Sequence, residues 1–165
     1  MEPFADTGRK VMRWEEALSL AERVKRDGGK VVLTNGCFDL LHRGHVEYLE
    51  FARRQGDVLV VAVNSDESVR RLKGSSRPVN RLEDRMRVLA GLAAVTGVVS
   101  FDTDTPEPLV KLLQPDVYVK GGDYSVEQLP EAKIVVGYGG DVVLAPVVEG
   151  QSTTGILGRV GSMKS

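Results

Sequence analysis

Both histidines of the chain, His42 and His45, lie three positions apart in the stretch TNGCFDLLHRGHVEYLEFAR. Imidazole is a proton carrier, a metal ligand and a hydrogen-bond donor near neutral pH. At a helix entrance an i, i+3 pair faces one way, and Gly44 between the two leaves room for a ligand to approach the backbone. Such an entrance also offers unpaired N–H groups and a partial positive charge, which suits phosphate. Two imidazoles above it can donate to oxygens whose charge grows during phosphoryl transfer, stabilising rather than attacking. Two surface histidines beside a turn would look the same in isolation, and a zinc pair would need a third ligand that is not evident. About 110 residues downstream, Ser152, Thr153 and Thr154 precede GILGRV. They are either a simple N-cap or a second helix start whose hydroxyls face phosphate.

The elements that must position these groups alternate along the chain. Helical spacing of Trp14, Ala17, Leu18, Ala21 and Val24 stops at Gly28-Gly29, and a short buried strand follows over 30–35. GHVEYLEFARRQG reads as a helix ending at Gly56, and 57–64 is a continuous apolar run of the kind found in central parallel strands. SDESVRRLK opens on Ser65 and Asp66 as candidate caps. The stretch 74–80, GSSRPVN, is a mobile loop by composition, and RLEDRMRVLAGLAA is a helix. GVVSF, DVYVK and DVVLAPVV supply three more strands, with PEPLVKLLQP between the first two. The expectation is a single α/β domain: a five-stranded parallel sheet with helices on both faces. Its boundaries are an N-terminal helical extension over 1–29, the domain over 30–160 and a frayed tail over 161–165. Ligands of such sheets bind at the carboxyl ends of the strands near the topological switch point, where strand one delivers the histidine turn. Lys73, at the edge of the 74–80 loop, can swing over a bound phosphate or remain a solvated helix end.

Composition narrows the function. The chain has 165 residues, 42% hydrophobic and 27% charged, with 22 basic against 23 acidic side chains. A nucleic-acid binder normally needs a basic excess, which a net charge of −1 does not supply. One cysteine, Cys37, excludes an intrachain disulfide and multi-cysteine metal sites; it reads as a small buried filler. No apolar run serves as a signal peptide or membrane span, so a soluble, cytoplasmic protein is expected. From Arg53 to Arg87 there are nine basic and five acidic residues, a local surplus that suits a polyanion.

GCFDLLHRGH, taken with the triplet in EGQSTTGIL, resembles the paired signatures of the nucleotidyltransferase superfamily, whose fold is Rossmann-like. Longer stretches, TNGCFDLLHRGHVEYL, VAVNSDESVRRLKGSSRPVNRLEDRMRVLAGL and VYVKGGDY, resemble its sugar-phosphate adenylyltransferases that make ADP-heptose. The resemblance implies AMP transfer from ATP to D-glycero-D-manno-heptose 1-phosphate, with pyrophosphate released and Mg2+ accompanying ATP, for lipopolysaccharide core synthesis. It implies a separate heptose kinase upstream, since no kinase half fits ahead of strand one, and a possible homodimer. His42 and His45 would meet the α- and β-phosphates, with Lys73 as the loop lysine and Arg85 on the outer phosphates. Asn35, Gly36 and Phe38 would form the floor, where Gly36 lets the backbone approach the nucleotide. Lys120, Gly121 and Asp123 would lie over base and sugar. Asn64 and Asp66 would face the sugar phosphate. Asp39 either caps its turn or reaches toward metal or substrate, and no protein metal ligand is assigned. Arg77, Arg81 and Arg87 read as surface charges. Gly155 departs from the family pattern, where a larger residue usually stands. The rival readings are a cytidylyltransferase acting on glycerol 3-phosphate and an inactive nucleotide-binding regulatory module. A fragment of an aminoacyl-tRNA synthetase is discounted.

Overall fold

Five apolar runs form five parallel strands in the computed structural model, which describes residues 6–122, 125–146, 150 and 152–163. They are β1 (Val31–Gly36), β2 (Val58–Asn64), β3 (Gly97–Phe101), β4 (Val117–Gly121) and β5 (Asp141–Ala145). Across the sheet they run β3-β2-β1-β4-β5. β1 aligns with β2 from Val31 opposite Val58 to Gly36 opposite Val63. On its other side β1 aligns with β4, Val32 opposite Val117. The strand order reverses between β1 and β4, which opens a crevice beyond their carboxyl ends.

Among the described residues seven α-helices connect and cover the strands: α1 (Trp14–Arg26), α2 (Arg43–Arg53), α3 (Asp66–Lys73), α4 (Leu82–Ala90), α5 (Glu107–Leu113), α6 (Pro130–Gly137) and α7 (Thr153–Ser162). Alternation along the strands sorts the core into two layers. Val32, Val61 and Val119 pack with Leu49 and Ala52 of α2 and Met86 and Leu89 of α4. Val31, Leu33 and Tyr118 pack on the other face, with Ala17 of α1, Leu109 of α5 and Val135 of α6. The structure is the Rossmann-like α/β sheet that the alternation predicts.

Three departures have local causes. α4 ends at Ala90, capped at Gly91, rather than running to 94, because the chain turns there into β3. α6 lies between β4 and β5, where no helix is expected. Its Ile134-Val135-Val136 run favours a strand by propensity, but Ala132 and Val135 are fully buried. α1 packs on the sheet directly: Ala17 and Ala21 are buried, and Trp14 Nε1 donates to the Ser100 carbonyl at 2.7 Å. Among the described residues no helix is long and apolar enough to cross a membrane.

Candidate active site

The crevice is a cavity of about 990 Å³ at the carboxyl edge of the sheet, large enough for more than one small substrate. Its first wall is the turn after β1. Phe38 takes a left-handed backbone, φ 45°, a conformation that favours glycine and marks a constrained site. A Cβ on Gly36 would stand 3.0 Å from the Phe38 ring, so a larger residue here would have to displace that ring. His42 is the N-cap of α2 and makes no side-chain cap bond, so its side chain does not compete for the first-turn N–H groups. His42 and His45 stack with ring centroids 3.9 Å apart, and Phe38 tilts against His45 at 5.2 Å. Both Nδ1 atoms are buried without a hydrogen bond. Burial lowers the pKa of His42. Burial and then the neighbouring His42 lower that of His45 to about 4, against an opposing pull from the Leu40 carbonyl. The pair is therefore neutral at pH 7, and each ring keeps one N–H to donate to an anion.

Asp39, open between two roles in the sequence, lines the cavity and is also bonded within the turn. It is 3% exposed, and its carboxylate accepts from the N–H groups of Val79 and Asn80 at 2.8 and 3.0 Å and from Arg77 Nε. Burial alone would raise its pKa. The bonds from Asn80, Val79 and Arg77 outweigh that and hold its carboxyl below the usual range. Arg77 is no surface charge: its side chain is 12% exposed, paired with Asp39, and on the cavity wall. The 74–80 segment is thus tied down at its far end, beyond Lys73. Lys73 is exposed, lines the cavity and makes no ion pair or hydrogen bond among the described residues.

The start of α7 forms the second wall. Ser152 Oγ caps it by accepting from Gly155 N at 3.0 Å. Thr153 Oγ1 donates to the Leu40 carbonyl at 3.3 Å, two residues before His42. Thr154 is exposed on the same wall and forms no hydrogen bond among the described residues. The triplet is thus both a cap and a cavity wall. Gly155 is tight against that cap, since a Cβ there would lie 3.1 Å from Ser152 Oγ.

Asn35, Tyr118 and Lys120 share the sheet face opposite α2 and meet Glu131 from the first turn of α6. Tyr118 Oη stands 2.8 Å from Glu131 Oε1 and also beside Asn35 Oδ1, and its one proton goes to either acceptor. Lys120 Nζ donates to Asn35 Oδ1 at 3.1 Å and stands 3.9 Å from Glu131 Oε1. Burial lowers the pKa of Lys120, with Glu131 opposing. Glu131 and Tyr118 carried no signal read from sequence, although Pro130 at a first helical position marks the start of α6.

Most of the expected residues converge. Asn35, Gly36, Phe38, Gly44 and Gly121 line the cavity, as does Asn64 at the end of β2. A Cβ on Gly121 would lie 3.0 Å from the Tyr48 ring. Asp123 lies outside the described residues. Two expectations besides that for Arg77 are corrected. Arg85 does not reach the cavity: its side chain is fully buried, and its donors go to the carbonyls of Asn80, Cys37 and Asn64 and to Asp66 Oδ1. Asp66 is that guanidinium's partner at 2.8 Å, not a cavity residue. Both sit beneath the floor because α4 turns Arg85 inward beside buried Met86 and Leu89. Cys37 lines the cavity, and burial raises its thiol pKa, so it stays protonated.

A parallel sheet that reverses at β1 and β4, with two helix starts and a histidine pair at the reversal, defines a Rossmann-like α/β protein with a crevice suited to anions. The sequence profile of the cytidylyltransferase-like family matches residues 33–150, and the chain belongs to that family. It is 55% identical to the bifunctional protein HldE of Alcanivorax borkumensis over 93% of this chain and 32% of that protein. It is 57% identical to the protein of the same name from Streptomyces coelicolor over 86% and 30% respectively. The chain spans about a third of the length of the curated relatives it matches. Among solved structures, the lipopolysaccharide core biosynthesis protein of Thermoplasma volcanium superposes with a TM-score of 0.61 at 25% identity, over 75% of this chain and all of that one. Pantoate-beta-alanine ligase from Francisella tularensis shares the fold alone: TM-score 0.60, 13% identity, over 87% and 68% of the two chains.

Proposed function

We propose that the chain is a sugar-phosphate adenylyltransferase, moving AMP from ATP to D-glycero-D-manno-heptose 1-phosphate and releasing pyrophosphate. The observation that carries the reading is the bond from Thr153 to the Leu40 carbonyl, which places the α7 hydroxyls and the stacked histidines on one cavity. The choice of heptose rests on the motif wording from Thr34 to Thr154. It is supported by the high identity to proteins named HldE and the likeness to one named for lipopolysaccharide core biosynthesis.

The chemistry asks for alignment and charge neutralisation. A phosphate monoester is dianionic or nearly so at pH 7, so its oxygen attacks the α-phosphorus without a protein base. Bond formation there is matched by departure of pyrophosphate on the opposite side. His42 and His45 donate to the α- and β-phosphates, Lys73 closes over them, and the starts of α2 and α7 present N–H and O–H groups. Neutral imidazoles still serve in this role because each keeps one N–H to give, while the charge neutralisation falls to Lys73 and the helix starts.

Among the described residues no three His, Cys, Asp or Glu side chains stand together as a metal cage. Mg2+ fits as an ion carried in on the triphosphate, held by phosphate oxygens and water. When bound it neutralises charge on those oxygens.

The test is pyrophosphate release with heptose 1-phosphate against each nucleoside triphosphate. ATP is used well and CTP poorly. Efficient turnover of CTP with glycerol 3-phosphate would overturn the reading in favour of a cytidylyltransferase.

A further inference from the structure

Asn35, Tyr118, Lys120 and Glu131 form a polar cluster on the far side of the sheet edge from α2. Glu131 is 3% exposed and Tyr118 is fully buried. Glu131 stands 3.9 Å from Lys120, so the carboxylate offsets that ammonium and leaves the pair no surplus positive charge to offer phosphate. The wall it lines is suited instead to a neutral, hydrogen-bonding part of a substrate.

The orientations follow from the donors. Lysine has no acceptor, so its 3.1 Å contact requires that Asn35 turn Oδ1 toward Lys120. Tyr118 Oη lies beside the same oxygen and gives its one proton either to it or to Glu131 Oε1. Asn35 Nδ2 is thereby turned away from them and makes no hydrogen bond among the described residues. Glu131 behaves likewise: Tyr118 and Lys120 both address Oε1, and nothing among the described residues bonds Oε2. Both residues line the cavity. A fixed donor and a fixed charged acceptor therefore lie on the same side of the crevice, cross-braced through Tyr118.

We propose that Asn35 and Glu131 form a diol-binding subsite, with Nδ2 donating to one hydroxyl of a substrate and Oε2 accepting from its neighbour. The subsite rests on the reading that the cavity takes a sugar phosphate and a ribonucleotide, and either can supply the diol. Phosphates lie against the histidines, and the hydroxylated part reaches across the sheet edge to α6. The charged acceptor gives discrimination, because a hydrogen bond to a buried carboxylate is stronger than a neutral one.

Isothermal calorimetry tests this with four probes: ATP, 2′,3′-dideoxy-ATP, heptose 1-phosphate and inorganic phosphate. The wild-type protein binds one diol-bearing probe at least about tenfold more tightly than its diol-free counterpart. Glu131→Gln removes most of that difference and weakens only the diol-bearing member. A change confined to ATP assigns the diol to the ribose, and one confined to heptose 1-phosphate assigns it to the sugar. Equal binding of ATP and dideoxy-ATP by the wild-type chain, with heptose 1-phosphate no tighter than phosphate, overturns the subsite without any variant. So does a folded Glu131→Gln protein with four wild-type Kd values, or one that weakens diol-bearing and diol-free probes alike. Wild-type protein that shows the diol preference but no pyrophosphate release would instead overturn the proposed reaction and leave the subsite standing.

Discussion

At the scale of single residues, the histidine pair combines two properties that usually compete. The rings are packed well enough to be neutral, yet they stand at a cavity where anions are expected. Removing His45 takes away a donor to the transition state, so His45→Ala lowers kcat by roughly a hundredfold or more. Steady-state kinetics check this, and a rise in KM at constant kcat contradicts the role. The same burial has a cost in acid. An unfolded histidine titrates near 6.5, while His45 in the fold titrates near 4. Between those values the unfolded chain binds more protons, so stability is fully present above about pH 6.5 and falls as the pH drops toward 4. The loss approaches about 3 kcal/mol. Asp39, with a pKa below the usual carboxylate range, adds its own loss only under about pH 4. Urea denaturation at pH 7.5 and 4.5 checks the first window: the difference shrinks in His45→Ala and persists in the wild-type protein. The histidines, the triplet and Lys73 were legible because each belongs to a motif at an element end. Glu131 and Arg77 were not, because their partners lie at Tyr118 and Asp39, far away in sequence.

At the scale of elements, the strands were legible from apolar runs because burial on both faces removes any polar alternation. α6 was not, because a β-branched run in a short segment carries opposite propensity, and only packing on α5 and the sheet decides it. α7 shows a further kind of dependence. Its start bears the hydroxyl triplet, and Ser152 is what holds that start in shape. Ser152→Ala removes the cap and costs about 1 kcal/mol, expressed as fraying of the first turn. Hydrogen exchange quickens at Gly155 and Ile156, and the KM for ATP rises in parallel. Faster exchange with unaltered KM would show that the first turn of α7 takes no part in nucleotide binding. Gly155→Ala tests the same junction from the other side. Helix propensity favours alanine by up to about 1 kcal/mol, but its Cβ must fit 3.1 Å from the capping oxygen. The net effect is therefore below the intrinsic gain, measurable as a Tm shift smaller than propensity alone predicts.

At the scale of the whole molecule, the cavity floor is held by one side chain that never reaches it. The Arg85 guanidinium spans Asn80 at 3.0 Å, Cys37 at 2.6 Å, Asn64 at 2.8 Å and Asp66 at 2.8 Å. Those contacts join the histidine turn, the end of β2, the start of α3 and the end of the 74–80 segment. Asp39 closes the circuit by binding that segment to the histidine turn a second time. A planar fork with several fixed donors can serve these directions at once, and a lysine ammonium on a flexible stem cannot. Arg85→Lys keeps the charge but serves fewer of these directions, so it leaves buried carbonyls without partners and costs about 1–3 kcal/mol, read from urea denaturation at pH 7.5. Where the variant is still folded, KM for both substrates rises together, because the floor beneath both moves. The motif resemblance places Arg85 on the outer phosphates, and the two assignments give opposite results. A variant as stable as the wild-type chain that loses affinity for ATP but not for heptose 1-phosphate would mark Arg85 as a direct phosphate ligand. Loss of stability with a shared rise in KM marks it as the brace that its buried bonds describe.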